Sequence, residues 1–189
     1  MQDASDWELA ERARDGDEAA FGLLVTRYKQ PALAFVYRMI GDPHEAQDVT
    51  QDVFVRLYRS LSKPGFEPAR NNARFSTWLF QTARNASIDV LRKRRRRPWE
   101  RLSVWRERGH EPEDPGGDAV MALTANETGR RIAAAVARLP EPQRAVFVLA
   151  DYEGLSYAEI AAVLHCSVKA VETRLYRARR HLRDWLAGE

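Results

Sequence analysis

Apolar residues recur three and four positions apart through most of the chain, the spacing of helix faces turned toward a core. An all-α protein is therefore expected. Ser5 with Glu8 spells a capping box for a first helix that Gly16 can end, and Asp17 can cap a second beginning EAAFGLLVTRYKQ. Pro31 interrupts that second pattern, which Ala32, Leu33, Phe35, Val36, Met39 and Ile40 resume, so a kink or short break is expected before the stop at Gly41. Asp42, Pro43 and Glu45 open a third helix. Ala46, Val49, Val53, Phe54, Leu57 and Leu61 gather on one of its sides, while Asp48, Gln51, Asp52, Val55 and Arg59 gather on the other. A plain solvated face is the ordinary reading of that second side, and an exposed valine between acids shifts the balance toward a protein interface without deciding it.

A loop rich in proline, glycine and asparagine runs from Ser62 to Arg74 and leads into RFSTWLFQTARNASIDVLRKRRRRP. On a helical wheel Trp78, Thr82, Asn85, Asp89, Arg92 and Arg96 share one stripe, beside an apolar stripe of Phe75, Leu79, Ala83, Ala86 and Val90. The run Arg92 to Arg97 is costly in self-repulsion, and a polyanion explains it better than a routine helix end. Aromatic and amide groups ahead of such a run suit a strand whose phosphates are neutralised and whose bases meet flat rings.

From Trp99 to about Ala125 periodicity fades, and RGHEPEDPGGD reads as an extended acidic spacer. Beyond it, an alanine-rich helix through Ile132, Val136 and Leu139 precedes Pro140, and Glu141 to Tyr152 reads as a second helix stopped by Gly154. Ser156 and Glu159 cap a short helix, a break falls near His165 to Ser167, and SVKAVETRLYRARRHLRDWL completes the chain. A short helix, a tight turn and a longer basic helix make a helix-turn-helix, whose second helix enters the DNA major groove. Val168, Val171, Leu175, Ala178, Leu182 and Trp185 form its core face, leaving Lys169, Thr173, Tyr176 and Arg180 opposite, with Glu172 and Arg177 at the flanks. Arginine can bridge guanine O6 and N7, threonine can reach a base edge, and glutamate can accept from cytosine N4.

The chain has 189 residues and a formal net charge of +3, with two basic segments separated by an acidic one, which points to two nucleic-acid contacts. One cysteine, Cys166, excludes an internal disulfide and fits a cytoplasmic setting. The four histidines are scattered without zinc-ligand spacing, and no secretory signal or bilayer-spanning run is visible. Clustered metal-binding carboxylates, a phosphate-cradling glycine loop and a nucleophile with a placed base are all missing from the pattern, so no cofactor and no enzyme activity is expected.

Taken together, DPHEAQDVTQDVFVRLYRSL, RFSTWLFQTARNASIDVLRKRRRR and LPEPQRAVFVLADYEGLSYAEIAAVLHCSVKAVETRLYRARRHL resemble, in order and spacing, an extracytoplasmic-function sigma factor of the sigma-70 family. The resemblance implies two small helical domains joined by a flexible acidic linker: residues 1–98 to bind core polymerase and read and melt the minus-ten element, linker 99–125, and residues 126–189 to read the minus-thirty-five element. It implies that Asp48, Gln51, Asp52 and Val55 dock on the beta-prime clamp helices of RNA polymerase core. It further implies that Arg74, Phe75, Trp78, Asn85, Asp89, Arg92, Lys93, Arg95 and Arg96 hold the non-template strand of the minus-ten element. Lys169, Glu172, Thr173, Tyr176, Arg177 and Arg180 are then implied to read the minus-thirty-five duplex, with the last domain also meeting the beta flap. Glu172 stands where many relatives carry a basic residue, so promoter preference is expected to differ. With no added regulatory domain in the sequence, a separate anti-sigma factor is the implied control. A stand-alone helix-turn-helix regulator is the alternative.

Overall fold

The computed structural model describes residues 4–63, 74–96 and 127–187. The expected loop over 64–73 and the expected linker over 99–125 lie outside the described residues, which are helical with no strand among them.

The first three helices begin where the local chemistry supplies a cap. The Ser5 hydroxyl accepts from the Glu8 amide and the Glu8 carboxylate accepts from the Ser5 amide, opening α1 (Asp6–Arg14). Asp17 caps α2 (Glu18–Ile40) by accepting from Ala20, and Asp42 caps α3 (Pro43–Leu61) by accepting from Glu45. Each such cap stabilises its helix by about 1 kcal/mol. Of the kink or short break expected at Pro31, no break occurs, since α2 runs continuously through it. An internal proline costs about 3 kcal/mol. Ala32, Leu33, Phe35, Val36, Met39 and Ile40 beyond it are all buried, and their packing outweighs that cost. Gly41, at φ 77°, then ends α2 in the left-handed region that favours glycine.

Helix α4 (Phe75–Arg96) completes the first half, and α2 packs against α1, α3 and α4. Phe75 is the centre of an aromatic group, with ring centroids 5.3 Å from Trp7, 5.1 Å from Tyr28 and 6.4 Å from Trp78.

The second half comprises α5 (Glu127–Arg138), α6 (Glu141–Phe147), α7 (Tyr157–Leu164) and α8 (Val168–Ala187). The helix expected over Glu141 to Tyr152 is α-helical only to Phe147, and Val148–Tyr152 forms a π-helical turn. Ser156 and Glu159 make the expected capping box of α7, and His165, at φ 49°, ends it. Val171, Leu175, Ala178 and Leu182 are buried as expected, but Val168 is 42% exposed, because at the first position of α8 it lies beyond the reach of α7.

The halves do not stand apart. Helix α4 packs against α7, and α2 against α5, α6 and the π-helical turn, so the buried apolar residues form one continuous core.

Candidate nucleic-acid interface

The partner stripe of α4 is accessible along most of its length. Asn85, Asp89, Arg92, Lys93, Arg95 and Arg96 are exposed and Trp78 is half-buried. Asn85 and Asp89 border a groove of about 360 Å³, whose walls include Arg84, Arg92 and Arg95 and which Glu141 of α6 closes on one side. Arg84 lies 3.0 Å from Glu141, and Arg92 lies 3.7 Å from Asp89. A cationic groove with an amide and aliphatic walls offers phosphate and base contacts together.

Two expectations for this helix need correction. Phe75 is only 1% exposed and cannot itself meet a base, because it is enclosed at the start of α4 by packing that includes the Trp7 and Tyr28 rings. The basic run is not a uniform strand path either. Arg94 turns inward to Glu45 at 2.8 Å and donates to the Ile40 carbonyl at 2.9 Å, bracing the end of α2 and the start of α3. The wheel held the signal: stepping by four from Val90 continues the apolar stripe to position 94. Arg74 is exposed but lies 3.1 Å from Glu159 of α7.

Elsewhere on the first half, α3 exposes Asp48, Gln51, Asp52, Val55 and Arg59 on one face, with Val55 38% exposed. Tyr58, 49% exposed and packed edge-on against Phe21 at 5.1 Å, adds an aromatic group the sequence reading did not single out. Acids flanking apolar side chains form a surface suited to a basic, partly apolar partner.

The helix-turn-helix is formed as expected. In the turn, the Cys166 amide donates to the Ala161 carbonyl at 3.0 Å and the Ser167 hydroxyl accepts from the Ala170 amide at 3.2 Å. Together these bonds fix the angle at which α8 leaves α7. Lys169, Glu172, Thr173, Tyr176, Arg177 and Arg180 are all exposed on α8, and Tyr176 is the most exposed large apolar side chain among the described residues, at 65%. Among the described residues no group of three His, Cys, Asp or Glu is placed to hold a metal ion.

A further set of charged residues lies between the halves, where hydrophobic patterning gave no warning. Arg38 of α2 stands 3.6 Å from Glu153 and 3.9 Å from the centre of the Tyr152 ring. Burial pushes the Glu153 carboxyl up to about 7, with Arg38 acting in the opposite direction, and burial holds Arg38 below the usual guanidinium range. Arg144 of α6 donates to the Met39 carbonyl of α2 at 2.5 Å and is likewise lowered by burial.

Comparison with known proteins gives these surfaces a context. Residues 24–97 match the sequence profile of sigma-70 region 2, and residues 129–182 match that of sigma-70, region 4. The RNA polymerase sigma-H factor of Pseudomonas aeruginosa is 35% identical over 182 residues, covering 92% of this chain and 90% of its own length. The ECF RNA polymerase sigma factor SigW of Bacillus subtilis is 33% identical over 186 residues, covering 93% of each chain. Among solved structures, CnrH in complex with the cytosolic domain of CnrY superposes with a TM-score of 0.71 at 32% identity, covering 98% of this chain and 99% of that one. The sigma factor RpoE of Bartonella quintana, in complex with the anti-sigma factor NepR, shares the fold with a TM-score of 0.65 at 24% identity, covering 88% of this chain and 96% of that one.

Proposed function

Because the chain belongs to the extracytoplasmic-function branch of the sigma-70 family, we propose that it binds RNA polymerase core, directs it to particular promoters and promotes the melting that starts transcription. The observation that carries this reading is the presence of both sigma-70 regions in one chain, in order, each with a solvent-facing surface of the chemistry its task requires. The protein acts in the cytoplasm, where its polymerase works; no described helix is long and apolar enough to cross a membrane.

Each surface has a distinct part. Asp48, Gln51, Asp52 and Val55, joined by Tyr58, meet the clamp helices of the beta-prime subunit, their acids steering a basic partner and Val55 and Tyr58 supplying apolar contact. Lys169, Glu172, Thr173, Tyr176, Arg177 and Arg180 read the minus-thirty-five element as duplex from the major groove, and the surrounding domain meets the beta flap. On α4, Trp78 and Asn85 serve base contacts, while Arg92, Lys93, Arg95 and Arg96 follow the phosphates.

Melting needs no bond chemistry from the protein. Extruding a base costs a few kcal/mol, which stacking and hydrogen bonding in a shaped groove offset as the strand is captured. An anti-sigma factor is the expected control, of the kind that NepR is for RpoE of Bartonella quintana. Transcription from a genomic library by purified core enzyme, with and without this protein, tests the reading. New start sites that share upstream elements support it. Specific duplex binding by the protein alone, with no change in core-dependent start sites, would indicate a stand-alone helix-turn-helix regulator.

A further inference from the structure

Helix α8 holds two acids, Glu172 near its start and Asp184 near its far end, and otherwise turns Lys169, Arg177 and Arg180 outward. Glu172 is exposed, and among the described residues its side chain has no ion pair or hydrogen bond. It does little for its own helix. Counted from Val168 it is the fifth residue of α8, beyond the first turn, to which the attraction of a helix N-terminus for acids is confined. Three and four residues ahead, where a basic side chain would support it, stand Leu175 and Tyr176. Lys169, three residues behind, is its neighbour on the helix surface but does not pair with it. An unpaired acid on a face turned toward a polyanion calls for a ligand that donates.

In a helix-turn-helix the first turns of the second helix contact base edges. Glu172 lies about 6 Å along α8 from its start, in that part of the helix. At about 100° per residue it stands about 60° around the helix from Lys169 and about 40° from Tyr176, so the three share one side. Thr173 beside it already donates its hydroxyl proton to the Lys169 carbonyl at 2.9 Å, which leaves it lone pairs and a methyl group to present. At the head of α8, positions 172 and 173 therefore accept while position 169 donates. We propose that Glu172 selects a cytosine in the upstream element, accepting from its N4 amino group in the major groove, while Lys169 donates to the guanine paired with it. The proposal rests on the assignment of α8 to the minus-thirty-five duplex and names one base pair of that element.

The four bases differ in what they offer a carboxylate, which can only accept. Guanine presents N7 and O6, and thymine presents O4 beside a methyl group, so either one sets acceptor against acceptor. Adenine places its N7 acceptor beside the N6 donor, and one carboxylate oxygen is left facing it. Cytosine presents the N4 donor with no acceptor of its own. The O6 and N7 of its partner guanine lie in the same groove and match the N–H donors of Lys169. Rejection adds to attraction, because a charge withdrawn from water is costly beside any pair that gives it no donor.

The test uses the full-length chain with purified polymerase core on a library built from one promoter they use, with its upstream element randomised and each member barcoded in the transcribed region. The parent should favour cytosine over every other base at one position by about tenfold. Glu172→Ala should reduce that preference to about twofold or less and leave the other positions unchanged. Glu172→Gln should move it to adenine, whose N6 and N7 an amide holds together, and Glu172→Arg should move it to guanine. Lys169→Met should weaken the cytosine preference without changing the base preferred; an undiminished preference overturns the guanine contact. Both side chains are exposed, so the variants should fold, and circular dichroism checks that they do. A parent with no cytosine preference, or Glu172 variants that change transcription equally on all members, overturns the proposal, since the acid then acts on phosphates or on nothing. Failure of core-dependent transcription on every member would instead overturn the sigma-factor reading. Selection of the same duplexes by the chain alone then decides the proposal: loss of the single-position preference in Glu172→Ala supports it, and persistence overturns it.

Discussion

Glu153→Gln gives the sharpest test of what the ion pair between the two halves contributes. Glu153 is largely buried, with its side chain 11% exposed, and Arg38 beside it is 13% exposed. Two effects compete: burial disfavours the carboxylate, and the Arg38 charge favours it. Burial is the larger, because the carboxyl is raised to about 7 despite the guanidinium 3.6 Å away. At about 1.36 kcal/mol per tenfold, a rise from the ordinary 4.5 to about 7 corresponds to roughly 3 kcal/mol. A group whose pKa is higher in the folded chain than in the unfolded one supports folding fully below the lower value, and that support is lost as pH rises through the higher one. Stability should therefore fall from about pH 4.5 to about pH 7 and level off above. Tyr28, Arg74 and Glu159 line the same small cavity as Glu153, and Arg38 and Tyr152 complete its charged and aromatic surroundings. Glutamine keeps the shape and removes the charge, so Glu153→Gln should be more stable than the parent at pH 8 and flatten the pH profile. Urea unfolding followed from pH 5 to pH 8 reads both effects. If Glu153→Gln is instead less stable than the parent at pH 8, the pair is net attractive and the reasoning from burial fails.

Charge reversal on α3, Asp48→Lys with Asp52→Lys, should weaken capture of polymerase core at least tenfold in a pull-down or titration while helix content stays unchanged, since both side chains are exposed. Arg177→Ala and Arg180→Ala should each cost about 1–3 kcal/mol of upstream duplex binding, if they read bases, and leave core assembly intact in a gel-shift assay. Asn85→Ala should reduce opening of the minus-ten element in permanganate footprinting, with little loss of upstream binding. Ser156→Ala should lower stability by about 1 kcal/mol in urea unfolding, because the hydroxyl accepts from the Glu159 amide at the start of α7.

The helix starts were legible because each depends on residues within one turn of itself. Ser5, Asp17, Asp42 and Ser156 all cap where their sequence context places them. The exposed sides of α3 and α8 were legible for the same kind of reason, since a helix repeats every 3.6 residues and its buried stripe leaves the opposite face outside. Arg94 and Phe75 could both have been read from the wheel, since Phe75 lies on the apolar stripe that position 94 continues and Trp78 lies on the stripe beside it. The wheel could not supply the rings that enclose Phe75, those of Trp7 and Tyr28, about 68 and 47 positions earlier in the chain.

By itself, the sequence determined an all-α chain, its helix boundaries to within a turn in most places, and the faces that carry its acids, its basic run and its helix-turn-helix. Tertiary structure alone decided that α2 runs through Pro31, that α6 passes into a π-helical turn, and that Arg38, Arg74 and Arg84 meet Glu153, Glu159 and Glu141. The physical reason is range. Caps and periodicity are local, with energies set by neighbours three or four residues away, whereas a proline's tolerance, a helix's irregular turn and a buried ion pair depend on what distant segments place against them.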